Sequence, residues 1–406
     1  MKAVGLVVEY NPFHNGHLHH VIKAKEDSEA GVVIAVMSGS FLQRGEPALV
    51  SKRVRAEMAL QAGVDIVVEL PYGYAVQTAP YFAEGAVRLL TALQCATLHF
   101  GSEEGDIARF LQLNAFMKKN DHDYQQQIKA FLKKGYAYPR ASAEAFAFLH
   151  EARTQLPLSE PNNILGYHYV QQIDAQASPM EPLTTLRIAA NYHDEDMGEG
   201  TIASATSIRK ALLHKKEVDH VLPASTARLL DYYKQTHGHV HFWENYYSYL
   251  KYQILTRTPA ELEQIAECEE GLEYRLIETG LQATSFSDWL TRLKTKRYTK
   301  TRLQRLFVHL LTNTTKEEMA TVRSNRENDY IRLLGMSETG KSYLNQYKKA
   351  FSLPVVTREA ELRHYGVLAS LDQRATACYW LTKPGALHSE AMKQEFQATP
   401  LFLKNS

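Results

Sequence analysis

Four short apolar runs alternate with helical patterns in the first hundred residues, and this alternation is the strongest constraint on the fold. The runs are Ala3 to Val8, Gly31 to Met37, Val64 to Leu70 and Ala96 to Phe100. The run from Gly31 to Met37 is continuously apolar, which is typical of parallel strands that are buried on both faces. Because such strands are joined by right-handed helical crossovers, the pattern predicts an α/β fold with a Rossmann-like, doubly wound parallel sheet. Sheets of this kind bind ligands beyond the carboxyl ends of their strands.

The rest of the sequence predicts a change from alternating strands and helices to a mainly helical second half. The run from Pro182 to Ile188 predicts one more strand, and residues 191–200 predict an acidic surface loop. Beyond Pro223 we find no further strand pattern, and the apolar residues recur at helical spacing. The sequence therefore predicts an α/β domain over 1–236 and a mainly α-helical domain over 237–406, with an exposed, histidine-containing linker at the start of the second.

Composition favours a soluble globular protein without a preference for acidic partners. Lys and Arg number 46 against 45 Asp and Glu, which leaves a net charge of +1. The cysteines, Cys95, Cys268 and Cys378, are far apart, which favours a reducing compartment and disfavours a cysteine zinc site. The first residues do not resemble a signal peptide, and no apolar run approaches about 18 residues. We therefore expect a cytoplasmic protein without membrane segments.

Two histidines follow the first predicted strand. His14 and His17 bracket Gly16 at the point where, after Asn11 and Pro12, a helical pattern begins. A strand–loop–helix junction gathers unpaired backbone N–H groups and the positive end of a helix dipole, both of which favour phosphate. Imidazoles at this place can hydrogen-bond phosphate oxygens. The alternative is that both histidines are ordinary surface residues of a first helix.

A second segment with phosphate-binding character follows much later in the chain. Ser204, Thr206 and Ser207 can cap a helix while offering donors to an anion, and Arg209, one turn later, can add a bidentate contact. Taken alone, the segment is explained more simply as a plain N-cap. Together with the two histidines, it predicts two helix N-termini that hold one triphosphate.

These two segments carry a family resemblance. His14-Asn15-Gly16-His17 and Ser204-Ala205-Thr206-Ser207-Ile208-Arg209 resemble the His-x-Gly-His and Ser/Thr-x-x-Arg signatures of the nucleotidyltransferase superfamily. Longer motifs, spread over nearly the whole chain, resemble those of the bacterial tRNA(Met) cytidine acetate ligases. These motifs lie at 9–17, 38–47, 100–103, 161–167, 296–303 and 330–335. One position departs from the superfamily pattern, because Ala205 stands where serine is frequent, and no side-chain role is expected there.

The resemblance implies a nucleotidyltransferase-type fold and an ATP-dependent ligase activity. Members of this family activate acetate with ATP to acetyl-adenylate. They then transfer the acetyl group to the exocyclic amine of the wobble cytidine of elongator tRNA(Met), which gives N4-acetylcytidine. The ATP chemistry implies Mg²⁺ bound with the nucleotide; no carboxylate cluster predicts a protein-held metal, and no obligate protein partner is evident. The ATP-site residues implied by the resemblance are Val7, Val8, Glu9, Tyr10, Asn11, Pro12, Phe13, His14, Asn15, Gly16, His17, Gly101, Asn162, Arg187, Ser204, Thr206, Ser207 and Arg209.

The residues themselves agree with adenylate chemistry. Attack of acetate on the α-phosphate requires positioning and charge stabilisation more than a protein nucleophile. The sequence contains neither a G-x-S-x-G elbow nor a cysteine beside a histidine. We expect His14 and His17 to stabilise the α-phosphoryl transition state, and Arg209 to hold the departing pyrophosphate together with the hydroxyls of 204–207.

The second half of the chain contains a strongly basic segment. Between Asp288 and Glu317 lie eight Lys and Arg residues and no acid. The interleaved Trp289 and Tyr298 can stack on bases, and phosphate contacts by the cations make binding salt-dependent. The alternative is a solvated basic helix. The residues predicted to bind tRNA are Lys294, Lys296, Arg297, Lys300, Arg302 and Arg305.

Two other functions fit part of the sequence. A small-molecule adenylyltransferase, acting on a nicotinamide or pantetheine nucleotide, would use the His-x-Gly-His domain equally well. It would not require the basic second half. A catalytically silent tRNA-binding protein would not require the two phosphate motifs. The combination of both features favours the tRNA-modifying ligase.

Overall fold

One mixed β-sheet organises the molecule. The structure is a computed structural model and describes residues 1–136, 138–149, 155–158, 160–187, 200–269 and 271–404. Strands of these residues form a sheet in the order β5-β4-β1-β2-β3-β6-β7, with β8 also paired to β6. The strands are β1 (Ala3–Val8), β2 (Val32–Ser38), β3 (Ile66–Leu70), β4 (Thr97–Ser102), β5 (Glu181–Leu186), β6 (Ile331–Ser337), β7 (Val355–Val356) and β8 (Leu401–Leu403).

Helices cover both faces of this sheet and build most of the second half of the chain. The α-helices of the described residues are α1 (Asn15–Ser28), α2 (Lys52–Gln61), α3 (Tyr72–Ala75), α4 (Ala79–Ala92), α5 (Ile107–Lys119), α6 (Asp121–Lys133), α7 (Tyr138–Phe148), α8 (Pro161–Ala175), α9 (Ala205–Leu213), α10 (Ala224–His237), α11 (Tyr247–Thr256), α12 (Pro259–Glu263), α13 (Leu272–Gln282), α14 (Phe286–Leu293), α15 (Lys300–Leu311), α16 (Lys316–Ser324), α17 (Glu338–Tyr347), α18 (Gly366–Trp380) and α19 (Gly385–Gln397).

The predicted α/β fold with a Rossmann-like sheet is confirmed. The first five strands lie where their apolar runs predict them, and they pair in parallel. Every residue of β2 and β3 is buried, as in a sheet that is covered on both faces, and the one carboxylate among them, Glu69, pairs with Lys52 at 3.0 Å. The second half is mainly helical, as expected. The predicted loop at 191–200 lies almost entirely outside the described residues.

The prediction that no strand follows Pro223 is wrong. β6 pairs antiparallel with β3 and in parallel with β7 and β8, so the second half of the chain extends the same sheet. β6 escapes detection because it contains Arg332 and Gly335, residue types that are poor in strands. Here Arg332 is buried beside Glu359, at 3.4 Å, and Gly335 leaves room for a leucine of α2. β7 and β8 are too short for a periodic pattern.

The segment after residue 237 is not an exposed linker. His241 is buried, and its two ring nitrogens pair with the hydroxyls of Tyr233 and Tyr246 at 2.9 and 2.7 Å. Its backbone N–H also donates to the carbonyl of Leu49 at 2.9 Å. The alternating histidines suggested exposure because their hydrogen-bond partners are distant in sequence. The division into 1–236 and 237–406 stays a prediction about roles, since the sheet draws strands from both sides of it.

The strand order places a crevice beside β1. β1 lies between β2 and β4, and the chain leaves it first towards β3 and later towards β5. At this reversal, the helices that follow β1 and β4 diverge at the carboxyl ends of the strands, where α/β sheets bind ligands. Val8, Ser102 and Leu186 end their strands at this edge. Within the described ranges, none of the helices combines the length and the apolar character that spanning a bilayer requires.

A buried histidine gives the fold an acid sensitivity that can be measured. His309 of α15 is fully buried, and its Nδ1 pairs with the Tyr72 hydroxyl at 2.8 Å. Burial, with a smaller effect of Arg305, lowers the pKa of His309 to about 3. A histidine in the unfolded chain titrates near pH ~6.5. The unfolded state therefore binds a proton that the folded state excludes, and stability falls as the pH drops from about 6.5 towards 3.

His309→Gln should remove the proton that the unfolded chain binds at this position and the folded chain excludes. The free energy of unfolding of the variant should then depend less steeply on pH, by up to about 1.4 kcal/mol per pH unit near pH ~5. Urea unfolding between about pH 6.5 and 4.5 measures this slope directly. Equal slopes for His309→Gln and the parent would contradict the assignment.

Candidate active site

A cavity of about 240 Å³ opens at the carboxyl ends of β1, β4 and β5. The first turn of α1, the first turn of α8 and the residues before α9 complete its wall. The converging helix N-termini give the site a positive field. Ten of the residues predicted for the ATP site line this cavity: Val7, Val8, Glu9, His14, Gly16, His17, Gly101, Asn162, Arg187 and Ser204.

His14 and His17 form a stacked pair at the N-terminus of α1. His14 is the N-cap residue, and its Nδ1 accepts from the backbone N–H of Gly16 at 3.1 Å. Nδ1 of His17 accepts in return from the backbone N–H of His14 at 3.3 Å, so the two side chains form a reciprocal capping box. The ring centroids lie 3.7 Å apart. In this capping box, imidazoles occupy the N-cap and N3 positions, where serine or threonine and glutamate or glutamine are usual.

This cap fixes the protonation of both rings. A nitrogen that accepts a hydrogen bond carries no proton, so each neutral ring carries its proton on Nε2. Burial, followed by the charges of Arg187 and Arg209, lowers the pKa of His14 to about 3. Burial also lowers the pKa of His17 well below its usual value, and His14 adds to the shift. Both rings therefore present neutral Nε2–H donors at neutral pH.

Five other residues predicted for the ATP site support the loop but are not part of the cavity wall. Tyr10, Asn11, Pro12 and Phe13 are buried under the turn that connects β1 to α1. Oδ1 of Asn11 accepts from the backbone N–H of Leu49 at 2.6 Å. Asn15 donates to the carbonyl of Thr201 at 2.8 Å and so ties α1 to the segment before α9. A continuous sequence motif does not reveal which of its residues face inward.

The hydroxyl-rich segment caps α9 as predicted. Oγ of Ser204 accepts from the backbone N–H of Ser207 at 3.0 Å, and the hydroxyl of Ser207 donates to the carbonyl of Ser204 at 2.9 Å. Ser207 is buried by this arrangement, whereas Thr206 is exposed. Of the segment, Ser204 reaches the cavity wall.

Arg209 lies behind the cavity wall and is paired. Its guanidinium donates to the carbonyl of Asn11 at 3.0 Å and to Oε2 of Glu46 at 2.9 Å. Glu46 also accepts from Nε2 of Gln304 at 3.4 Å. Burial opposes ionisation of Glu46, but Arg209 and the hydrogen bond from Gln304 outweigh it and lower the pKa of the carboxyl. A phosphate that engages Arg209 must therefore compete with Glu46.

Arg187 is oriented by the N-terminus of α8. It donates to Oδ1 of Asn162 at 3.0 Å, and Asn162 donates in turn to Glu103 at 2.5 Å. Glu103 also accepts from the backbone N–H of Asn163 at 2.9 Å, so this carboxylate caps α8. A Cβ at Gly101 would lie 3.2 Å from the Arg187 side chain, which explains the small residue there. Arg187 lines the cavity, and its charge contributes to the lowered pKa values of His14 and His17.

Sequence reasoning missed several residues of the cavity wall. Gln43 and Arg44 come from the polar loop after β2, and His20, Tyr169 and Thr185 come from α1, α8 and β5. His20 was detectable, because it lies three residues after His17 and thus on the same helix face. The loop residues carry no spacing signal. The backbone N–H of Gln43 donates to Oε1 of Glu9 at 2.9 Å, and burial raises the pKa of Glu9.

Fewer of the cations predicted to bind tRNA are exposed than the sequence indicated. Arg305 is buried and forms two bonds to Glu267, at 2.5 and 3.1 Å, so it is not available to a phosphate. Arg302 is half-buried and bonds Glu269 at 3.1 Å. The exposed members are Lys294, Lys296, Arg297 and Lys300, which we call the basic surface.

The aromatic residues of this segment are core residues. Trp289 is fully buried, donates to Thr279 at 3.1 Å and packs on Phe307 with ring centroids 4.9 Å apart. Tyr298 is also buried, under Arg302, whose guanidinium lies 5.0 Å from the ring centroid. The prediction that these two rings stack on bases is therefore wrong, because the α14–α15 region needs them for its own packing.

The basic surface adjoins the cavity through the loop after β2. Gly45, with φ +72°, packs so closely on α15 that a Cβ would lie 2.2 Å from the backbone N of Arg305. The carbonyl of Gly45 accepts from Nε1 of Trp243 at 3.0 Å. The same loop contributes Arg44 to the cavity and Glu46 to Arg209. α15 at Gln304 and Arg305 therefore packs against the loop that contributes to the cavity wall.

Comparison with known proteins gives one consistent result. A family model described as HIGH Nucleotidyl Transferase matches residues 1–395. A tRNA(Met) cytidine acetate ligase of Halalkalibacterium halodurans is 49% identical over 406 residues, and that of Bacillus subtilis is 49% identical over 405 residues. Each alignment covers 99% of this chain and 97% of the relative.

Solved structures agree over the full length. The chain is similar to the apo crystal structure of Thermotoga maritima TmcAL, with a TM-score of 0.93 and 33% identity. It is also similar to that protein bound with alpha-thio ATP, with a TM-score of 0.90 and 32% identity. Both comparisons cover 100% of each chain.

Proposed function

Because the chain belongs to the tRNA(Met) cytidine acetate ligase family, we propose that it joins acetate to tRNA(Met) at the expense of ATP. The observation that carries the proposal is the neutral histidine pair in a cavity formed by three strand ends and three helix N-termini. The finer proposal is that acetyl-adenylate is the intermediate and that the wobble cytidine amine of elongator tRNA(Met) is the acceptor. ATP and tRNA as substrates agree with a cytoplasmic location.

ATP fits the cavity with its phosphates between α1 and α9. Nε2–H of His14 and of His17 donates to the α-phosphate, and the N-terminus of α9 with Ser204 faces the β and γ phosphates. Arg187 and Arg44, which also line the cavity, add positive charge. The adenine ring suits the apolar part of the wall. That part is lined by Phe82, Phe100, Leu165 and Tyr169.

The first reaction step needs no protein nucleophile. An acetate oxygen attacks the α-phosphorus, and the bond to the bridging oxygen of pyrophosphate breaks. The neutral Nε2–H donors of the histidine pair stabilise the negative charge that develops on the α-phosphoryl oxygens. Arg209 releases Glu46 and binds the departing pyrophosphate. Neutral rings suit this role, because they donate without first having to be protonated.

Mg²⁺ would enter with the nucleotide. Within the described part of the chain, no group of three or more His, Cys, Asp or Glu residues is arranged to hold a metal ion. Glu9 is the one carboxylate among the described residues that line the cavity, and it would supply a single oxygen ligand. Magnesium is usually bound by one or two carboxylates, phosphates and water, so the residues fit an ion that arrives on ATP. The ion would neutralise phosphate charge.

The tRNA substrate would be held by the basic surface. Lys294, Lys296, Arg297 and Lys300 are exposed, and Lys300 is close enough to influence the ionisation of Glu46 beside the cavity. A tRNA bound there would contact α15, which packs against the loop that contributes Arg44 to the cavity wall. A small-molecule acceptor would need none of these cations.

The proposal that acetate is the substrate activated by ATP can be tested by measuring which compound stimulates pyrophosphate release. The purified chain with ATP and Mg²⁺ should release pyrophosphate when acetate is added and should not respond to nicotinamide mononucleotide. Removal of magnesium by a chelator should abolish the release. A response to nicotinamide mononucleotide without a response to acetate would establish a small-molecule adenylyltransferase instead.

A further inference from the structure

A chain of hydrogen bonds connects an exposed carboxylate to the cavity wall. Nε2 of His20 lies 3.0 Å from Nδ1 of His99. Nε2 of His99 lies 3.3 Å from Oδ2 of Asp27 and 2.9 Å from the hydroxyl oxygen of Thr185. His99 is fully buried, and the hydroxyl of Thr185 donates to Asp27 at 2.9 Å. His20 and Thr185 line the cavity.

This chain determines where each ring carries its proton. Partial burial raises the pKa of Asp27, but the hydrogen bonds from Thr185 and His99 outweigh it and keep that pKa below its usual value, so Asp27 is ionised. An ionised carboxylate can only accept, and His99 must therefore carry its proton on Nε2. Nδ1 of His99 is then an acceptor, and His20 must donate to it from Nε2–H. The remaining nitrogen of His20, Nδ1, is left with a free lone pair.

The cavity therefore contains imidazoles of opposite character. His14 and His17 accept at Nδ1 and present Nε2–H donors, which suit phosphate oxygens. His20 donates at Nε2 and retains an acceptor at Nδ1, for which the described residues provide no hydrogen-bond partner. An acceptor does not suit phosphate. It suits a substrate group that carries a proton, such as an amine.

Burial and the neighbouring His99 lower the pKa of His20 to about 3, so the ring is neutral before the reaction. The phosphate of an adenylate intermediate favours the protonated ring, because an opposite charge nearby raises the pKa of a histidine. Ionised Asp27, which acts through His99, favours it in the same direction. The ring is thus held neutral at rest and becomes more basic when the intermediate is present.

We propose that His20 is the general base of acetyl transfer, and that His99 and Asp27 are positioning residues that fix its tautomer. The proposal rests on the proposed function, acetyl transfer from acetyl-adenylate to a cytidine amine. The N4 lone pair forms a bond to the acetyl carbonyl carbon, and the bond from that carbon to the AMP oxygen breaks, with its electrons leaving on AMP. The N4 proton passes to Nδ1 of His20. AMP is a good leaving group, so the amine proton is the one that requires a protein acceptor.

The experiment separates the two half-reactions. Acetyl-adenylate formation is followed by acetate-dependent pyrophosphate release, and transfer by single-turnover acetylation of tRNA(Met) from preformed acetyl-adenylate. His20→Gln should slow transfer by about 10²-fold, a typical general-base contribution, and should slow transfer at least about tenfold more than it slows pyrophosphate release. His168→Gln is the matched control, because this half-buried histidine of α8 bonds Gln171 and lies outside the cavity wall. It should change neither rate.

Asp27→Asn tests the positioning role without touching the cavity. An asparagine amide can donate to Nε2 of His99, which moves the proton of His99 to Nδ1 and forces the proton of His20 onto its Nδ1. Transfer should slow as in His20→Gln, and the ¹⁵N chemical shifts of the His20 ring should report the exchanged tautomer. Asp27 is exposed, so the variant should fold even if His20→Gln does not.

The outcomes distinguish this inference from the proposed function. Normal transfer in both variants, or equal slowing of both half-reactions, would overturn the role of His20 while the parent chain still acetylates tRNA(Met). Slow transfer in Asp27→Asn without a tautomer change would overturn the positioning role. Failure of the parent chain to acetylate tRNA(Met) at all would instead overturn the proposed function.

Discussion

His17→Ala should slow acetate-dependent pyrophosphate release by about 10²- to 10³-fold, the usual cost of losing one donor to a developing oxyanion. The reason is geometric. Nδ1 of His17 is occupied by the backbone N–H of His14, so Nε2–H is the group available to the α-phosphate. Burial keeps the ring neutral, and its donor function should therefore vary little between about pH 6 and 8, well above its lowered pKa. Pyrophosphate release measured across this range checks both the rate and the flat pH dependence.

The loss of the helix cap needs its own control, because His17 also closes the capping box of α1. His17→Glu retains an oxygen acceptor at the position where glutamate is common in capping boxes. This variant should fold as stably as the parent and still lose most of the rate, because an ionised carboxylate accepts the backbone hydrogen bond but has no proton to donate to the α-phosphate. Parent-like pyrophosphate release in His17→Glu would show that the ring is only a cap.

Replacement of the whole basic surface by glutamine should weaken tRNA binding by about 10²-fold or more near 0.1 M salt and reduce the slope of log affinity against log salt by about 3. Lys294, Lys296, Arg297 and Lys300 are the exposed members of the set predicted to bind tRNA, and each phosphate contact releases bound counterions. Pyrophosphate release with acetate should stay at the parent rate, since none of the four lines the cavity. Filter binding of tRNA(Met) at several salt concentrations measures the effect.

A matched variant controls for the change of net charge. Lys119, Lys129, Lys133 and Lys134 are also four exposed cations, and they belong to α5, α6 and the end of α6. Their replacement by glutamine removes the same charge away from α15 and should leave the salt slope nearly unchanged. Equal weakening by both variants would mean that tRNA responds to total charge, and unchanged affinity in the first would mean that another surface binds it.

Arg305 illustrates why a basic pattern overstates a binding surface. The absence of acids between Asp288 and Glu317 suggested unpaired cations, yet Glu267 and Glu269 come from an earlier part of the chain and neutralise Arg305 and Arg302. The sequence of a segment gives its charge, but it does not show which acidic residues from elsewhere in the chain pair with its cations. Trp289 was misinterpreted for the same reason, because its packing partner Phe307 lies in the next helix.

The fold was largely predictable where burial is uniform. β1, β2 and β3 are almost entirely apolar, with Glu69 as the charged residue of β3, and such runs identify strands without knowledge of their neighbours. β6 was not predictable, because its Arg332 and Gly335 become favourable only once Glu359 and Leu60 are in place. Tertiary contacts outweigh strand propensity at such positions.

The site was predictable at its cap residues and less so elsewhere. His14, His17 and Ser204 face the cavity because helix N-termini fix their direction. Tyr10 and Phe13 belong to the same motif but point into the core, since the turn after β1 needs apolar filling. His20 went unassigned, although its spacing from His17 placed it on the same face of α1.

Acetylation of tRNA(Met) with isotopically labelled acetate tests the central claim most directly. The purified chain, incubated with labelled acetate, ATP, Mg²⁺ and elongator tRNA(Met), should place one acetyl group on N4 of the wobble cytidine, as shown by nuclease digestion and mass spectrometry. A tRNA(Met) with uridine at the wobble position should remain unlabelled, and AMP should form in step with the product. Label at another nucleotide, or ATP turnover with acetate that leaves the wobble cytidine unmodified in the presence of intact tRNA(Met), would contradict the account.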